Sequence, residues 1–144
     1  MRLTKHSDYA LRVLLYLGVT RGRSVSTEEI SESFGISTHH LSKVVHKLDK
    51  LGLVTIKRGR GGGIELAHPP EEIRLGEVVS QTEPDFALVQ CLEADNRDCR
   101  LTGSCALVPP LLRAQKAFIA ALNEHTLADA LGSLLPSHHG LRRE

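Results

Sequence analysis

Residues 26–52, "STEEISESFGISTHHLSKVVHKLDKLG", contain two helix starts and two glycine stops. Ser26 stands at an N-cap with Glu29 three residues on, and Gly35 stands where the first helix ends. Ser37 opens a second helix that stops at Gly52. The connection of about three residues around Gly35 is the spacing of a helix-turn-helix. In the second helix Leu41, Val44, Val45 and Leu48 fall at i, i+3, i+4 and i+7, forming one apolar stripe. The opposite face carries His39, Lys43, His46 and Lys50. On a lone helix such a face is simply solvated. Directly after a short-turn helix pair, it predicts a recognition helix.

The next residues, "LVTIKRGRGGGIELA" (53–67), read as two short β-type runs around a glycine-rich tip that turns sharply. A hairpin in this position makes the unit a winged helix-turn-helix. Arg58 and Arg60 at the tip suit phosphates or a minor groove, and glycines let the backbone approach closely. The expected DNA-contacting set is His39, His40, Lys43, Lys47, Lys50, Arg58 and Arg60, with the start of the recognition helix nearest the base edges. No Gly-x-x-x-x-Gly-Lys-Ser/Thr pattern, capped nucleophile or carboxylate pair supports nucleotide binding or an enzyme.

Upstream, a helix from about Asp8 to Gly18, capped by Ser7, is apolar on most sides and predicts burial. The start of the chain imitates a signal peptide, but Asp8 and Arg12 interrupt the apolar run and no small-residue cleavage site follows. No stretch reaches the length of a membrane span. Downstream, a proline stop precedes a short helix at about Leu75–Gln81. A longer helix follows, with prolines in its first turn and apolar residues at Leu111, Ala114, Phe118 and Leu122. Its apolar surface is too wide for one small domain to cover, which predicts a dimerisation helix. "TLADALGSLL" adds a short helix, and the tail from about Pro136 reads as disordered.

The fold class is therefore mainly α, a winged helix-turn-helix with a long C-terminal dimerisation helix. The expected division is a DNA-binding domain at 1–68, a linker helix, cysteine loop and dimer helix at 69–135, and a tail at 136–144. Charge follows the same division. Residues 1–68 carry 11 Lys/Arg against 6 Asp/Glu, and residues 69–144 carry 7 against 11, so only the first half suits a polyanion. Aromatics are 3% of the 144 residues, so the core must be built from aliphatic side chains.

All three cysteines, Cys91, Cys99 and Cys105, fall within "CLEADNRDCRLTGSC" (91–105). An odd number cannot all pair within one chain, which favours a reducing cytoplasm over a disulfide framework. Their polar neighbours argue against ordinary buried thiols. Structural zinc draws ligands in close pairs, which are missing here, although His125 or His68 would complete a Cys3His set. The wider spacing suits an iron–sulfur cluster better, and the helix after Cys105 would stabilise an anionic thiolate group. A cluster needs a fourth ligand, and no fourth cysteine exists.

"MRLTKHSDYALRVLLYL", the wing "RGRGGGIELA", "RLGEVV", the cysteine loop and "TLADAL" together resemble the Rrf2 superfamily of cluster-binding winged-helix regulators. The similarity spans roughly residues 1–135, and within the superfamily it is strongest to the nitric-oxide-sensitive repressors. It implies a cytoplasmic homodimer that binds a pseudo-palindromic operator, with a cluster near the dimer interface controlling that binding. The cluster-assembly regulators of the superfamily have a histidine shortly after the third cysteine. Here that place is Val108, and the first cysteine gap is longer, so that ligand set is not available. The nitric-oxide-sensitive branch implies an acidic fourth ligand early in helix 1, given by the partner subunit. Asp8 matches it, with Arg12 one turn on to orient its carboxylate. The resemblance thus implies a repressor holding a 4Fe–4S cluster that senses nitric oxide. A 2Fe–2S redox or cluster-status regulator and a thiol- or zinc-dependent switch are the alternatives.

Overall fold

The computed structural model describes residues 2–89, 92 and 104–134. The chain runs α1 (Lys5–Val19), α2 (Thr27–Phe34), α3 (Thr38–Lys50), β1 (Val54–Lys57) and β2 (Gly63–Leu66). A 3-10 turn (Pro70–Glu72), α4 (Leu75–Thr82), α5 (Val108–Asn123) and α6 (Leu127–Leu134) follow. One aliphatic cluster organises it. Ala10, Val13, Leu14 and Leu17 of α1 meet Ile30 of α2, the Leu41, Val44, Val45 and Leu48 stripe of α3, and Val54 and Ile64 of the hairpin. Leu127 and Leu131 of α6 join the same cluster, so the chain returns to α1 after α5. Each fully buried leucine contributes about 1.5–3 kcal/mol of transfer free energy.

The helix-turn-helix forms as its caps predict. The Ser26 hydroxyl accepts from the Glu29 N–H at 3.1 Å. Gly35 closes α2 at φ 63°, a left-handed conformation that side chains disfavour. Three residues later α3 is under way, capped by Ser37. The turn is further tied by the Ser31 hydroxyl, which donates to the Ile36 carbonyl at 2.6 Å. In α1 the cap differs from expectation. Thr4, not Ser7, caps a helix that begins at Lys5, and its Oγ1 accepts from the Ser7 N–H at 3.3 Å. Ser7 lies inside the first turn, fully buried. Thr4 wins because its hydroxyl stands three residues ahead of that N–H, where a cap must be.

The wing is a two-stranded antiparallel sheet with Val54 opposite Leu66 and Lys57 opposite Gly63. A bridge between Val25 and Ile64 pins β2 to the connection between α1 and α2. Gly63 permits this: a Cβ there would stand 2.9 Å from the Ser24 Cβ and from the Val25 carbonyl oxygen. The far end of α5 is held equally firmly. The Arg74 guanidinium donates to the Asn123 carbonyl at 2.8 Å, and Leu75 N–H and Leu127 N–H donate to the His125 and Ile73 carbonyls. The remainder of α5 packs mainly on α4, with the Phe118 ring 6.4 Å from that of Phe86, and none of its residues is buried.

Candidate functional site

Two regions carry polar side chains that the fold itself does not use. The first is the outer face of α3 with the wing tip. His39, His40, Lys43, Lys47, Lys50, Arg58 and Arg60 are all exposed. Burying the Leu41 stripe fixes the azimuth of α3, so its other face must point to solvent. The His39 and His40 rings lie 6.1 Å apart in the first turn of α3. Among the described residues, none of the five cations in this set is ion-paired.

Other cations of the first half are engaged, which composition did not reveal. Arg23 donates to Glu29 through both guanidinium nitrogens, one of them at 2.9 Å, and Tyr16 Oη donates to the same carboxylate at 2.8 Å. The Glu29 hydrogen bond raises the Arg23 pKa further above its ordinary value. Lys57 Nζ is 2.8 Å from Glu65 Oε2, and Arg12 Nε is 3.1 Å from Asp8 Oδ2.

The second region is the end of the molecule around the start of α5. Cys105 is half-buried, and its carbonyl accepts from the Val108 N–H at 3.3 Å as α5 begins. Cys91 and Cys99 lie outside the described residues, as does the tail 136–144. Leu107 and Leu112, beside this end of α5, are 66% and 40% exposed. Asp8 sits one turn into α1, with side-chain exposures of 47% for Asp8 and 44% for its partner Arg12. The pair borders an open cleft of about 480 Å³ that Lys5, Tyr9 and Phe34 also line. Within one chain, then, the Asp8 carboxylate is accessible and oriented. Its chemistry fits a cluster site: three thiols and one hard carboxylate can supply four ligands. His68 lies 3.8 Å from Glu72, which places it in a surface pair.

One contact between the halves has no local sequence signal. Glu83, the residue that ends α4, accepts from both the Thr4 N–H at 2.8 Å and the Thr4 hydroxyl at 3.1 Å. The start of α1, and with it Asp8, is thereby tied to the segment that leads into the cysteine loop.

Comparison with known proteins places this arrangement. Residues 3–133 match the Rrf2 family, described as iron-dependent transcriptional regulators. The HTH-type transcriptional regulator NsrR of Geobacillus kaustophilus is 46% identical over 132 residues, covering 91% of this chain and 90% of that protein. Its Bacillus subtilis namesake is 44% identical over 130 residues, covering 90% and 89%. Among solved structures, the global cysteine regulator CymR of B. subtilis superposes with a TM-score of 0.73 at 25% identity, covering 92% of this chain and 98% of that one. No helix among the described residues is long and apolar enough to cross a membrane.

Proposed function

Because the chain belongs to the Rrf2 family and is a DNA-binding transcription regulator rather than an enzyme, we propose that it is a homodimeric repressor whose operator binding is controlled by a 4Fe–4S cluster that senses nitric oxide. Cys91, Cys99 and Cys105 of one subunit and Asp8 of the other would hold the cluster. When bound, it supplies iron with one weakly held, exchangeable ligand position that a diatomic gas can reach. The observation that carries this reading is the place of Cys105. A half-buried thiol stands three residues before a helix that has no buried residue, in a family described as iron-dependent.

The roles of the chain's own residues follow. Arg12 orients the Asp8 carboxylate. Leu107 and Leu112 present apolar surface to a second subunit. Glu83, through Thr4, ties the cysteine segment to α1, and α1 packs against α3. A change at the cysteine loop therefore has a short covalent and hydrogen-bonded route to the recognition helices. Two such helices must keep a fixed separation to engage half-sites about one or two helical turns apart. A small reorientation costs much of the bivalent binding without unfolding either unit.

The test is an anaerobic absorption spectrum of the purified protein, followed by operator titrations of cluster-loaded, cluster-free and nitric-oxide-treated samples. Tight binding only by the loaded, untreated protein is expected, with the cluster-free protein still dimeric. Equal binding by loaded and cluster-free protein would remove the switching role and favour a thiol- or zinc-dependent switch. A 2Fe–2S spectrum would favour the redox or cluster-status reading.

A further inference from the structure

The wing holds three side chains of interest, Lys57, Arg58 and Arg60, yet among the described residues only Lys57 is paired with an acid. We infer that Glu65 limits the charge the wing offers to DNA: by holding Lys57 it withholds one cation and leaves Arg58 and Arg60 to contact phosphate.

The geometry builds this pair deliberately from the register. Lys57 stands opposite Gly63, and Glu65 stands opposite Thr55, so Lys57 and Glu65 are diagonal neighbours on one face of the hairpin. Gly63 has no side chain to obstruct the reach of Lys57. The same glycine admits the connection between α1 and α2, which delivers the Ser24 hydroxyl to Glu65 Oε1. Glu65 thus takes one donor from the wing and one from the body, and its side chain is 32% exposed. An exposed pair alone is weak. Here, however, moving Lys57 to a phosphate would leave the Glu65 carboxylate unneutralised beside a polyanion. Sequence-independent affinity grows with each phosphate neutralised. A regulator gains discrimination by keeping that term small, so Glu65 acts as a specificity-determining residue that touches no base.

This inference rests on the wing being part of the DNA-binding face, and its test separates the two. Binding of the full-length protein to a random-sequence duplex is measured across a salt series for wild type, Glu65→Gln, Lys57→Gln and the double variant. Each phosphate contact adds about 0.9 to the slope of log K against log salt. Glu65→Gln should steepen the slope by about 0.9 and raise affinity by up to about eightfold at 0.1 M salt. Lys57→Gln alone should leave the slope at its wild-type value, and the double variant should return to it. The inference is overturned if Lys57→Gln by itself flattens the slope, because Lys57 would then already contact phosphate. It is also overturned if Glu65→Gln acts equally with and without Lys57, or changes nothing. Should Glu65→Gln fail to fold, the Lys57→Gln slope alone still decides, since that side chain is 55% exposed. A wild-type protein without salt-dependent duplex binding would instead count against the DNA-binding face itself.

Discussion

Leu41 and Lys43 stand two residues apart on α3 and have opposite fates: one is fully buried and the other exposed. Leu41→Ala should cost about 2–5 kcal/mol in a denaturant titration, because it removes packing at the junction of α1, α2 and α3. The caps at Ser26 and Ser37 were legible because each hydroxyl stands a fixed number of residues ahead of the N–H it bonds. Ser7 misled for the same reason, since Thr4 offers the identical chemistry three residues earlier. The partner of Glu65 was invisible until the hairpin register was known. Its carboxyl lies below the ordinary value of 4.5, held there first by Lys57 and then by Ser24. For a depressed acid, the associated stability is present above the unfolded value and is lost as pH falls through the folded one. The Glu65 carboxyl resonance followed by NMR should therefore titrate below pH 4.5 and move back towards it in Lys57→Gln.

The elements α3 and α5 were both readable from periodicity, and they differ in what covers them. The α3 stripe is buried by the chain itself, whereas among the described residues the wider apolar surface of α5 is only partly covered, with none of its residues buried. Periodicity gives the face of a helix but not its occupant, so the sequence could only predict that α5 needs a partner. Leu112→Glu should convert the proposed dimer to monomer in sedimentation velocity. The fold stability of each chain should stay within about 0.5 kcal/mol, because Leu112 is a surface residue in the single subunit. On α3 and the wing, Lys43→Ala, Arg58→Ala and Arg60→Ala combined should weaken operator binding and flatten its salt dependence by roughly three contacts' worth. Unchanged affinity and slope would place the DNA elsewhere. The cysteine segment had the clearest compositional signal in the chain, and its cluster-binding reading rests on donor chemistry and family.

At the scale of the whole molecule, the basic first half and acidic second half do not remain separate layers. Residues far apart in sequence meet where α6 enters the α1 core and where Thr4 meets Glu83, a contact spanning 79 positions. Such contacts follow from how the chain returns on itself, which no local pattern encodes. They also put Asp8 on the element that the cysteine segment is tied to, and leave its carboxylate facing an open cleft. Whether Asp8 serves the cysteines of its own subunit or those of its partner is a question of symmetry, and mixed dimers answer it. Asp8→Ala alone should preserve dimerisation while making the cluster more labile, read by its absorption decay under a chelator. A heterodimer is then assembled from one Asp8→Ala chain and one Cys99→Ala chain. If ligation crosses the interface, the defective carboxylate and the defective thiol fall in the same site. The other site is then complete, and decays at the wild-type rate. If each subunit serves itself, every site carries one defect and no wild-type phase survives. A single slow phase of half the wild-type amplitude is the expected result; its absence would assign Asp8 to the cysteines of its own subunit, and unchanged lability in Asp8→Ala alone would return Asp8 and Arg12 to an ordinary surface pair.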